Sequence, residues 1–100
     1  MRRAIVLRRD ETDPGDIDKC TEQHELEVVF TVTTETEHPR LAVMIAVEHI
    51  LDHRAEVVVI PYLTPDAVWA AREWLALAEL VDVVIAGGEL LDGDDRFARP

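Results

Sequence analysis

A single cysteine, Cys20, in 100 residues leaves no internal disulfide to form and no second thiol to resolve it as a redox centre. It reads as one small core residue. No apolar run approaches the roughly 18 residues needed to cross a bilayer, so no membrane contact is expected. The stretch MRRAIVLRR has the basic flanks of a secretory leader, but Ala4 to Leu7 falls short of an apolar segment of about 7–15 residues. A cytoplasmic location is therefore expected. Positive charge is scarce too: 10 Lys and Arg stand against 21 Asp and Glu, a formal net charge of −11. Such a surface repels a phosphate backbone, and direct nucleic-acid binding is not expected. Arg2, Arg3, Arg8 and Arg9 at one end, with Arg96 and Arg99 at the other, read first as solubilising flanks. Glycine is sparse, and AGGE (86–89) carries two glycines after an apolar run without any continuing phosphate cradle, which reads as a turn. There is no internal repeat and no low-complexity tract.

What is present is 48% hydrophobic residues, enough for one core in a single small domain. Ala4–Leu7, Leu26–Val32, Val57–Ile60 and Val83–Ala86 have the length and β-branched content of strands. Between them, HPRLAVMIAVEHILDHR and TPDAVWAAREWLALAEL have helical periodicity. Thr64 is suited to cap the latter, with Pro65 in the first helical position and Asp66 at the positive end; Pro39 opens the earlier helix in the same way. Apolar strands alternating with helices predict an α/β fold, a four-stranded mainly parallel sheet of flavodoxin-like order 2-1-3-4 with helices on both faces. The domain is expected over 1–88. An acidic tail, ELLDGDDRFARP, follows over 89–100, loose unless Leu90, Leu91 and Phe97 dock.

The first crossover is thin. A helix over 16–25 offers little more than Ile17 and Cys20, with Thr21 and His24 beside them, to the sheet. One sheet face is then expected to be under-covered, with the tail or a second chain as its occupant.

At this point the order of motifs over residues 2–90 resembles the catalytic domain of serine recombinases, the resolvase/invertase family, in degenerate and shortened form. That family carries Tyr-x-Arg-x-Ser at the end of its first strand, the serine being the nucleophile. VLRRD sets Val6 at the tyrosine, Arg8 at the arginine and Asp10 at the serine. EVVFTVTTETEHPRL is similar to the second strand and its Arg-Pro dipeptide, with His38 in place of the arginine and Pro39 kept. AEVVVIPYLTPDAVW is similar to the third strand and Asp-Arg-Leu-x-Arg, with Thr64 and Pro65 at the Asp-Arg pair and Val68 at the second arginine. The resemblance implies a resolvase-like fold without its nucleophile or its cation cluster, hence no recombinase chemistry.

Three further groups bear on function. Asp10, Glu11, Asp13, Glu35 and Glu37 collect at the expected carboxyl edge of the strands, where hard oxygen ligands can hold Mg²⁺ or Ca²⁺; the default is a solvated acidic rim. His49 and His53 have i, i+4 spacing, yet HILDH lacks the glutamate of a metalloprotease helix. On the last helix Trp69, Ala76 and Leu80 fall opposite the sheet-facing stripe, between Arg72, Glu73 and Glu79, the composition of an interface core with a polar rim. Leu41 and Ile45 lie off the main face of the earlier helix and can join it. The expected function is a non-catalytic module acting through self-association or a protein partner, with no cofactor and no resident metal. The alternatives are a regulator of a DNA-processing protein through its acidic surface, and a small metal- or ligand-binding enzyme at the Asp10 edge.

Overall fold

The computed structural model describes residues 1–35 and 38–91. From β1 (Arg2–Arg8) the chain passes through α1 (Pro14–Gln23) to β2 (Leu26–Thr33), and through α2 (Pro39–His53) to β3 (Val57–Val59). Then come α3 (Pro65–Ala70), α4 (Arg72–Leu80), β4 (Asp82–Val84), a 3-10 turn (Ala86–Gly88) and β5 (Leu90–Leu91). The sheet order is β2-β1-β3-β4-β5, parallel throughout except for the antiparallel β4–β5 pair. The α/β class and the 2-1-3-4 core of the order stand as expected. The strand count does not: Leu90–Leu91, assigned above to the tail, add a fifth strand, while Phe97 lies outside the described residues.

Local chemistry explains the helix starts. α1, α2 and α3 each begin at a proline, whose missing N–H would have had no intrahelical partner there. Asp13 Oδ1 accepts from Gly15 N at 2.8 Å, and Thr64 Oγ1 accepts from Ala67 N at 3.3 Å. The Asp13–Pro14 cap starts α1 ahead of the expected residue 16. At the far end of α2, Arg54 turns left-handed (φ 52°, ψ 44°) and its N–H bonds back to Ile50 O, which closes the helix.

The expected single helix after Thr64 is two helices. Ala71 is extended (φ −139°, ψ 119°) and separates α3 from α4. Phase is the physical reason. Val68 and Leu77 are both fully buried, yet nine residues apart they would sit about half a turn out of phase on one straight helix. The extended residue resets the phase so that both reach the sheet.

Packing corrects the second expectation. On one face of the sheet, Ile5, Leu7, Val58, Ile60, Val83 and Ile85 meet Ala42, Ala46 and Ile50 of α2 and Val68, Trp74 and Leu77 of α3 and α4. On the other face Ala4, Val6, Val57, Val59 and Val84 meet Cys20, Leu26 and Ile17. None of those five strand residues is more than 1% exposed, so the face expected to be under-covered is closed within the chain. Short side chains let α1 come close, and the turn after β4 completes the cover. Gly88 (φ 80°) packs so tightly on α1 that a Cβ there would stand 2.3 Å from Gln23 Oε1. His24 Nε2 donates to the Gly88 carbonyl at 2.7 Å. Each fully buried Val or Leu contributes about 1.5–3 kcal/mol relative to exposure, so both layers matter to stability.

Candidate functional site

In an open parallel sheet the ligand-binding edge lies beyond the carboxyl ends of the strands. Arg8 and Arg9 leave β1 at that edge. Arg8 donates to the carbonyls of Arg9 (3.2 Å), Asp10 (3.4 Å) and Thr12 (3.1 Å), so its guanidinium organises the β1–α1 loop. Thr12, itself buried, accepts from Arg9 N through Oγ1 and donates its own N–H to Arg9 O, both at 3.0 Å. Thr34 N bonds to Arg8 O at 2.8 Å and ties the end of β2 to the same corner. Asp10 N donates to Glu35 Oε2 at 2.9 Å.

Beside this loop, the Arg9 guanidinium lies over the Tyr62 ring, 4.5 Å from its centroid. Burial holds the Tyr62 hydroxyl above the ordinary tyrosine range, with the Arg9 charge working in the other direction. Arg9 Nε is buried without a hydrogen-bond partner, and the Tyr62 hydroxyl is buried beside the Arg9 side chain. Further along the edge, a cleft of about 390 Å³ is lined by Asp16, Lys19, Cys20, Pro61, Gly87 and Gly88 among others. Burial pushes the Cys20 thiol up, away from the nucleophilic thiolate.

The residues read from the family likeness are dispersed. Val6 is fully buried against α1 and does not reach the edge; Arg8 is engaged by carbonyls; Asp10 is exposed on the loop. The 100 residues contain no serine, so no other position supplies that nucleophile. The acidic rim divides as well. Asp13 is a helix cap, Glu35 holds a backbone N–H, and Glu37 lies outside the described residues. Among the described residues, no group of three or more His, Cys, Asp or Glu is placed to hold a metal ion. His49 and His53 instead stack on Phe30 of β2, each with its ring centroid 4.6 Å from the phenyl centroid.

The surface residues fare differently. Trp69 is 38% exposed on α3, while Arg72, Ala76 and Leu80 belong to α4, with Leu80 67% exposed. The break at Ala71 means that these four do not share one helical stripe, which corrects the continuous face expected above. Leu41 is 48% exposed, whereas Ile45 is half-buried against the core. Sequence reasoning passed over Met44 (58%) and Leu51 (73%), which lie with Leu41 on the outer side of α2. The signal was there: Leu41, Met44 and Leu51 are apolar residues beyond the stripe that α2 needs for packing. The chain matches no protein-family model, no curated protein and no solved structure.

Proposed function

We propose that the chain is a non-catalytic, resolvase-like module that works by self-association. One observation carries the reading. Of the nine large hydrophobic side chains exposed among the described residues, five (Val28, Phe30, Leu41, Met44 and Leu51) belong to β2 and α2. Exposed apolar side chains gathered on two consecutive elements of a strongly charged molecule favour an interface there, where scattered single residues would need no explanation. The edge chemistry supports the same reading: Asp10 stands where the resembled family keeps its nucleophile, and Arg8 is occupied by carbonyls. A second copy is the partner proposed. The shared sheet order supports the likeness at the level of fold alone.

Light scattering across the micromolar range tests it. The expected mass is twice the 11.3 kDa of one chain. A wild-type mass of 11.3 kDa at every concentration overturns the reading.

A further inference from the structure

Among the described residues, β2 forms one edge of the sheet and pairs with β1 alone. Among the described residues, no backbone hydrogen bond outside the ladders and helices involves residues 26–33. Edge strands of natural proteins are ordinarily kept short or protected by lysine and proline, because an open row of backbone groups templates another strand. Leu26–Thr33 runs for eight residues with no lysine, no proline and one charge, Glu27, in a chain that is 31% charged. Val28 and Phe30 are 40% and 38% exposed along it.

We infer that β2 pairs antiparallel with β2 of a second copy about a two-fold axis, joining two sheets into one. This rests on the self-association proposed above and names the surface that carries it. The strand's own geometry selects a second copy as occupant. Leu26 packs on the α1 side; Val28 and Thr31 pair with Ala4 and Val6, which face α1, and Thr33 follows by alternation. Val29 and Val32 pack on the α2 side, Phe30 stacks on the α2 histidines, and Glu27 pairs with Arg3, whose Nε reaches His53 O at the end of α2. The register shift between Ala4 and Ile5 puts Val29 and Phe30 on the same side. The sequence of faces therefore reads the same in both directions about the Val29–Phe30 bond.

Such a palindrome is what a two-fold axis requires of an antiparallel pair, since residues directly opposite must share a face. One register satisfies it along the whole strand. Leu26 stands opposite Thr33 of the second copy, Glu27 opposite Val32, Val28 opposite Thr31, and Val29 opposite Phe30. No acid meets an acid, and an aromatic meets a β-branched residue beside the axis. The same arrangement sets the two α2 helices on one face of the joined sheet. His49 and His53, stacked on Phe30, then lie on the side of α2 nearest the second copy.

Charge exchange tests the register. Val28→Lys with Thr31→Lys sets lysine against lysine on an exposed face, and the mass should fall from twice 11.3 kDa to 11.3 kDa with the circular dichroism spectrum unchanged. Val28→Lys with Thr31→Glu sets lysine against glutamate and should restore the dimer. If the double-lysine variant keeps the wild-type mass, the edge is not the interface and this inference falls while self-association stands. If both variants are equally monomeric, the register is wrong and the inference again falls. A monomeric wild type removes both proposals. Hydrogen exchange of the wild type, independent of any variant, should show β2 amides losing protection on dilution while β3 amides keep theirs; unchanged β2 amides overturn the pairing.

Discussion

Toward α2 the strands present Ile5, Leu7, Ile60 and Ile85; toward α1 they present Ala4, Val6, Val57, Val59 and Val84. Apart from Val58 and Val83 on the first face and Leu26 on the second, the larger side chains thus lie on one face and the shorter ones on the other. The first face needs three helices to fill the space above it. The second is closed by one ten-residue helix with Cys20 and Ile17 as its apolar contacts, plus a glycine turn. Counting apolar residues on the covering helix misjudges such a layer, because the cover a sheet needs depends on how far its own side chains stand out. Among the described residues, apolar exposure gathers elsewhere, on the outer side of α2 and along β2.

The largest expected difference between the faces is in truncation. Leu77→Ala removes a fully buried side chain from the thick face and should lower unfolding free energy by about 3 kcal/mol in urea titrations. Cys20→Ala on the thin face should lower it by about 1 kcal/mol. Equal losses would break the comparison. A smaller effect concerns Tyr62, packed against the thick face with its hydroxyl buried beside Arg9. Tyr62→Phe removes that hydroxyl and should change stability at pH 7 by no more than about 1 kcal/mol. Because the folded-state pKa of Tyr62 is raised, the unfolded chain ionises first, and the tyrosine's contribution is lost as pH climbs above the ordinary tyrosine value near ~10. Alkaline melts of Tyr62→Phe should therefore fall less steeply than those of wild type; identical slopes would show that the hydroxyl is not held neutral by its surroundings. Least of all is expected from Arg2→Ala. Its 2.6 Å ion pair with Asp82 lies at the rim of the thin face with the arginine about half exposed, so the loss should stay below about 1 kcal/mol and shrink with added salt.

Much of the architecture was legible in residues 2–85. Four apolar runs and two proline-opened helices were enough for the class and for the order of the first four strands. The break at Ala71 was hidden because WAAREW contains no glycine or proline, and tertiary packing of both Val68 and Leu77 onto one face of the sheet overrode a strong helical preference. Leu90 and Leu91 form too short a pair to leave any periodic signature. At the carboxyl edge, the Arg9–Tyr62 stack joins residues far apart in the chain, and nothing local announces it. Arg8 was visible as a charge, but its carbonyl partners were not, since those depend on how the loop folds back. The face palindrome of β2 could not be read either, because it arises from a register shift that only pairing with β1 creates.

Opposite β2, the sheet finishes in β5, which offers two residues of described backbone where β2 offers eight. Joining two β2 edges about a two-fold axis uses up both of them, so assembly through that edge closes on itself and does not run on into a fibre.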